Sequence, residues 1–145
     1  MNSSFKLVSL LTLAFAISLP TIHADDDHTP LGEQMSALNK PYRSLSRALK
    51  KTPDPAMKDQ YVEWAESILI YAEKSVDILP SMIANMETEA GAKHAADYKK
   101  SMQETVTSIE GLIETLKAED FAQAKVILDE INQQKKSGHF IYQED

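Results

Sequence analysis

Residues 120–142 (DFAQAKVILDEINQQKKSGHFIY) decide the fold class of this chain. Mostly apolar or small residues recur there at intervals of three and four, which is typical of one face of an amphipathic helix. The positions that share this face are Phe121, Ala124, Leu128, Ile131, Lys135, Gly138 and Tyr142. Asp120, with Gln123 three residues later, has the pattern of a helix N-cap. The stretch therefore predicts a helix that packs one face against other helices.

Three segments upstream show the same periodicity. The first begins at Thr29-Pro30, a threonine cap followed by a proline at the first helical position. It continues through Pro41, because the apolar rhythm is unshifted there, as a helix that the proline bends. It ends before residues 52–55 (TPDP). Within that stretch, Asp54-Pro55 begins a second helix, which has Met57 on its buried face and ends near Leu79. A third helix is predicted over residues 92–118.

These four helices, joined by mostly short connections, predict an all-α fold, namely an up-down-up-down antiparallel four-helix bundle. Four glycines and six prolines are too few for the frequent turns of an all-β sandwich. In this topology the start of the first helix and the end of the fourth lie at the same end of the bundle.

Residues 1–24 have the pattern of a secretory signal peptide. Lys6 supplies the positive charge, and residues 7–19 (LVSLLTLAFAISL) form the apolar region. This run is shorter than the roughly 20 residues that a membrane-spanning helix needs. We therefore expect cleavage after Ala24, export, and a mature domain of residues 25–145 that forms the bundle.

The charge and cysteine content exclude several classes of function. The chain has 15 basic and 22 acidic residues, and removal of Lys6 changes the net charge from −7 to −8. Nucleic acids and anionic membrane surfaces are repelled by such a protein at long range. The absence of cysteine excludes disulfides, cysteine-ligated zinc sites and cysteine nucleophiles. The glutamates are scattered, and no isolated acid pair indicates catalysis by an enzyme.

Met35 and His139 are the candidate ligands of a cofactor. Met35 lies in the second turn of the first helix and His139 near the end of the fourth, so the topology brings them to the same end. Ala92, Ala95 and Ala96 start the third helix there and leave volume between the helices. A pocket with one thioether and one imidazole suits a haem iron, with a comparatively high reduction potential and no open coordination position.

Two segments resemble the soluble cytochrome b-562 family. Residues 31–39 (LGEQMSALN) resemble its first helix, in which the methionine is an axial ligand. Residues 135–142 (KKSGHFIY) resemble its final turn and are similar to the CxxCHxxYR motif of the related cytochrome c-prime and c-556 proteins. On that alignment Lys135 and Gly138 occupy the two cysteine positions, His139 matches the axial histidine and Tyr142 the aromatic residue.

The resemblance extends over the mature chain and implies a periplasmic electron-transfer protein rather than an enzyme. It implies non-covalent haem b, with Met35 and His139 as axial ligands of the iron. The acidic surface favours redox partners with basic surfaces, and we expect a monomer or a weak dimer.

Two alternatives remain open at this point. A haem-free periplasmic bundle could act as an interaction protein or handle copper, because thioether and imidazole groups suit Cu(I); the residues concerned are Met35, Met82, Met86 and His139. Gly138 could also end the last helix as a C′ glycine, which would take His139 out of the helix.

Overall fold

The computed structural model describes residues 29–142. Its helices are α1 (Pro30–Lys50), α2 (Lys58–Ser75), the short α3 (Ser81–Ala84), α4 (Glu89–Lys117) and α5 (Phe121–Tyr142). No strand occurs within these residues. The expected signal peptide, residues 1–24, lies outside them.

The four long helices form the expected antiparallel bundle. Helix α1 packs against α2, α2 against α4 and α4 against α5, and a less extensive contact between α1 and α5 closes the bundle. The start of α1, the end of α2, the start of α4 and the end of α5 share one end, which we call the Met35 end. The opposite end is the far end. Across residues 29–142, no helix has the length and apolar character needed to cross a membrane.

Side-chain caps fix where three of the helices begin. Thr29 Oγ1 accepts a hydrogen bond from Gly32 N at 3.0 Å, and Asp120 Oδ1 accepts one from Gln123 N at 3.0 Å. Both predicted caps are confirmed, and each contributes on the order of 1 kcal/mol. Thr88 caps α4 in the same way, so this helix begins at Glu89, three residues before the predicted start.

The second helix differs from its predicted bounds at both ends. It begins as a 3₁₀ turn over Pro55–Met57, and Met57 is 42% exposed because it lies in this turn rather than on the inward face of α2. It ends at Ser75 rather than near Leu79. Beyond Ser75 the backbone continues in tighter turns, in which Val76 N donates to Glu73 O at 3.2 Å and Ile78 N donates to Ser75 O at 3.3 Å.

A tight turn joins α4 to α5 at the far end. Asp120 N donates to Thr115 O at 2.9 Å, and Glu119 N donates to Leu116 O at 3.1 Å. This pair of bonds is a Schellman motif, in which the residue after the helix cap takes a left-handed conformation. Glu119 has a φ of 60°, so a non-glycine residue occupies this position at a cost of about 1 kcal/mol.

The most deeply buried side chains lie towards the far end. The largest apolar ones are Leu45, Leu49, Ile68, Ile109, Leu112 and Leu116, and Ala124 and Leu128 of α5 pack with them. At the Met35 end, by contrast, Leu31, Met35 and Leu38 are only half-buried. Hydrophobic burial is therefore concentrated in one half of the bundle.

Leu45→Ala is expected to lower the free energy of unfolding by about 3 kcal/mol, because Leu45 is 0% exposed and its loss leaves a cavity. Val126→Ala is the control, since Val126 is 49% exposed, and it should cost less than about 1 kcal/mol. Urea unfolding followed by circular dichroism measures both changes. Equal losses in the two variants would contradict the assignment of Leu45 to the core.

Candidate functional site

His139 lies on the last turn of a helix that is not interrupted at Gly138. Helix α5 continues to Tyr142, and no glycine in the described residues has a positive φ. A Cβ added at Gly138 would meet nothing within 4 Å, so the helix passes this position without constraint. The alternative in which Gly138 ends the helix is thus wrong. His139 is exposed, whereas Met35 is half-buried in α1.

A hydrogen bond between α1 and α5 relates the heights of these two residues. Lys135 Nζ donates to Asn39 Oδ1 at 3.3 Å. Met35 precedes Asn39 by four residues, and His139 follows Lys135 by four. Because α1 and α5 are antiparallel, both candidate ligands lie one turn, about 6 Å, further along their helices towards the Met35 end. A lysine side chain spans about one turn itself, so the two residues are at a similar level to within about a turn.

The rotation of α5 puts His139 on the side that faces α1. Gln134 marks the side facing α4, because its Nε2 donates to Ser108 Oγ at 3.1 Å. Lys135 marks the side facing α1, because its Nζ contacts Asn39 and the ring of Tyr42. At about 100° per residue, His139 lies about 40° from Lys135 and about 140° from Gln134. His139 thus lies on the side of α5 nearer to α1.

The surroundings of the two residues are apolar but incompletely covered. Half-buried side chains at this end are Leu31, Leu38, Leu79, Met82, Ala95 and Met102. Ala92 and Ala96 are exposed, so Ala95 is the one of the three predicted alanines that faces inward. Phe140 is 92% exposed beside His139. One hollow open to solvent lies between α2 and the end of α4, and another lies between α1 and α2 beside Glu33 and Ser36; neither is lined by Met35 or His139.

A buried tyrosine joins three helices at the Met35 end. Tyr98 is 4% exposed, and its hydroxyl donates to Ser75 O at 3.1 Å at the end of α2. Its ring meets that of Tyr142 edge-on, with centroids 5.3 Å apart, in the last turn of α5. Burial, and secondly Tyr142, raise the pKa of Tyr98 to about 12. This contact holds the turn of α5 that carries His139.

The cytochrome b562 family profile matches residues 30–143. The chain belongs to the cytochrome b562 family. A comparison with curated proteins and a comparison with solved structures gave no match. The match confirms the family suggested by the sequence, and it agrees with the four-helix bundle described above. Members of the cytochrome b562 family are haem-binding electron carriers of the periplasm and are not enzymes.

The donor set at the Met35 end suits the group that the cytochrome b562 family binds. A thioether and an imidazole at one level are a ligand pair found on haem iron. Gln34 Oε1, one residue before Met35, is buried and has no hydrogen-bond donor within residues 29–142. An unsatisfied buried acceptor is uncommon and is consistent with a site that takes up a further group. Carboxylate, histidine and cysteine clusters for a metal ion are not found in that range.

Sequence reasoning missed two interactions of this site. Lys135 lies on the predicted packing face, but its partners were not predicted: it is half-buried against Asn39 and Tyr42. No local pattern signals these partners, because they lie on another helix. The Tyr98 contact had a weak signal, since a tyrosine at an inward position needs a partner for its hydroxyl.

Gly138→Ala is expected to raise the free energy of unfolding by up to about 1 kcal/mol, because alanine favours the helical backbone and has room there. Gly91→Ala is the matched comparison and should destabilise, since its Cβ would meet Met86 O and lie 2.6 Å from Met86 Cβ. Urea unfolding of both variants measures the difference. Destabilisation by Gly138→Ala would show that α5 does not continue as a regular helix to His139.

The raised pKa of Tyr98 predicts a loss of stability in alkali. Between its ordinary pKa of 10.0 and its folded pKa of about 12, the unfolded chain releases the proton while the folded chain keeps it. The contribution of Tyr98 to the free energy of unfolding is therefore complete below the unfolded pKa. It is lost as the pH rises through the folded pKa, and the loss is on the order of 2 kcal/mol. Tyr98→Phe is the control, because it keeps the ring and cannot titrate.

Urea unfolding at neutral pH should find Tyr98→Phe less stable than the parent chain by about 1 kcal/mol, because the bond to Ser75 O is lost. This gap should close or reverse as the pH approaches 12. Parallel pH profiles of the two proteins would show that Tyr98 is not the responsible group.

Proposed function

We propose that this chain is a periplasmic electron-transfer protein that holds haem b non-covalently, with Met35 and His139 as axial ligands of the iron. One observation supports the proposal most: the bond from Lys135 to Asn39 is consistent with a register in which the two donors lie at a similar level on α1 and α5. Membership of a haem-binding family supports it. Attachment is non-covalent because the chain has no cysteine.

The proposed ligands fit transfer of electrons rather than catalysis. Met35 and His139 would hold the haem, which would supply one-electron transfer and leave no open coordination position for a substrate. The task of the protein is then to keep both donors in place and to limit the access of water. Leu31, Leu38 and Met102 contribute apolar surface at the Met35 end.

The chain orients both donors through contacts outside the ligand pair. The Thr29 cap holds the first turn of α1, one turn before Met35. Tyr98 holds Tyr142 in the turn of α5 that carries His139. Such supporting contacts reduce the reorganisation that ligand binding requires.

The partner and the compartment follow from charge and the N-terminal pattern. The chain has a net charge of −7 and exposed carboxylates such as Asp77. Electrostatic steering therefore favours encounters with redox proteins that have a basic surface and disfavours encounters with nucleic acid. Residues 1–24 support export to the periplasm, with cleavage after Ala24. A monomer or a weak dimer is proposed, since exchange of electrons needs a short-lived encounter.

Hemin titration of the purified protein tests the ligand assignment. The parent chain should bind one equivalent and give a low-spin spectrum in both oxidation states. His139→Ala and Met35→Ala should each weaken hemin binding by more than about tenfold or lose the low-spin spectrum. The controls are His94→Ala and Met57→Ala, because both residues are exposed and neither lies on the α1–α5 side of the bundle.

Three outcomes distinguish the possibilities. Loss in the two ligand variants with normal controls supports the assignment. Normal binding in both ligand variants would refute Met35 and His139 as ligands. If the parent chain takes up no hemin, the haem proposal fails, and titration with Cu(I) then tests the copper-handling alternative, for which Met82 and Met86 supply further thioethers.

A further inference from the structure

Lys135 is an unpaired cation at the interface between α1 and α5. Its Nζ donates to Asn39 Oδ1 at 3.3 Å and lies 5.2 Å from the centroid of the Tyr42 ring. Within residues 29–142 no carboxylate comes within salt-bridge distance of it, whereas other lysines of α2 and α4 form such pairs. An amide oxygen and a ring face are partners that suit an ammonium group.

The surroundings of Lys135 screen its charge poorly. The side chain is half-buried, and burial, followed by the nearby charge of Arg43, lowers its pKa. Water reduces the effect of a charge much more strongly at the surface than in a desolvated position. The charge of Lys135 therefore acts over a longer range than that of an exposed lysine.

This cation lies one helical turn from the proposed ligands. Lys135 precedes His139 by four residues on one helix, and its partner Asn39 follows Met35 by four on the other. A change of oxidation state at those ligands is a change of one unit of charge close to Lys135. A nearby cation favours the state with the lower positive charge, which is the reduced one.

We propose that Lys135 sets the reduction potential of the site by stabilising the reduced state electrostatically. The inference rests on the proposed function and goes beyond it, because it assigns the tuning of the potential to a residue that is not a ligand. Lys135 is a positioning and tuning residue, and Asn39 and Tyr42 hold its ammonium group in the interface.

Lys136 provides a matched control for the charge. It is the next residue, carries the same charge and is exposed, so its removal changes the net charge equally while leaving the desolvated cation in place. Lys135→Gln removes the charge, and Lys135→Arg keeps it. Lys135→Met removes the charge but keeps an unbranched side chain against Tyr42, which covers the case in which glutamine disturbs folding.

The experiment is an optical redox titration of the hemin-loaded full chain and these variants. Lys135→Gln and Lys135→Met should lower the ratio of reduced to oxidised protein at a fixed potential by about tenfold, which corresponds to about 59 mV for one electron. Lys136→Gln should change it by less than about twofold, and Lys135→Arg should stay near the parent value. The low-spin spectrum should be unchanged in Lys136→Gln and Lys135→Arg. In Lys135→Gln and Lys135→Met the same spectrum shows whether loss of the bond to Asn39 moves a ligand.

Each other outcome is informative about one of the two proposals. Equal shifts for Lys135→Gln and Lys136→Gln, or an unchanged potential in Lys135→Met, would overturn the role of Lys135 while leaving haem binding intact. If Lys135→Gln and Lys135→Arg shifted the reduction potential equally and both changed the spectrum, a ligand would have been displaced. That result would also overturn the role of Lys135. Failure of the parent chain to bind hemin would refute the proposed function, and this inference with it.

Discussion

The fold depends on one layer of aliphatic side chains packed between the four long helices towards the far end. Leu45, Leu49, Leu112 and Leu116 are almost completely buried there and come from the end of α1 and the end of α4. Their burial holds the bundle together without disulfides, which the sequence cannot form. Because this layer supplies most of the close packing, the Met35 end can remain apolar and incompletely filled. A protein that must accommodate a large flat cofactor between its helices needs one tightly packed end and one incompletely filled end.

The closing contact between α1 and α5 is the least extensive of those that join neighbouring long helices, and the proposed haem ligands lie beside it. Lys135 and Asn39 join the two helices by a polar contact one turn from Met35 and His139. A hydrogen bond restricts the distance between its two atoms more closely than aliphatic packing does, so this bond limits how far α1 and α5 can slide past each other. The same contact places a cation in a poorly solvated position. One interaction thus serves both the geometry and the electrostatics of the proposed haem site.

The sequence predicted what local patterns determine. Apolar periodicity predicted the four helices and their antiparallel order, and cap chemistry predicted the starts at Thr29 and Asp120. The end of α2 was missed because Ser75 O is engaged by Tyr98, which is 23 residues away in the chain. The contact of Lys135 with Asn39 and Tyr42 was missed because it depends on how closely α5 approaches α1. The predicted topology brought Met35 and His139 to one end, and family resemblance gave them the role of ligands, since a methionine on an inward face and a histidine near a helix end most often serve packing and solvation.

The connection from Val76 to Thr88 is the longest of the three between the long helices, and it lies at the Met35 end. Apart from the short α3 it has no regular structure, and Met86 within it is 41% exposed. Segments with few buried contacts open locally at a lower free energy than the whole domain. This end can therefore separate transiently while the aliphatic layer at the far end stays packed. A planar molecule would then have an entry route that does not require the bundle to unfold.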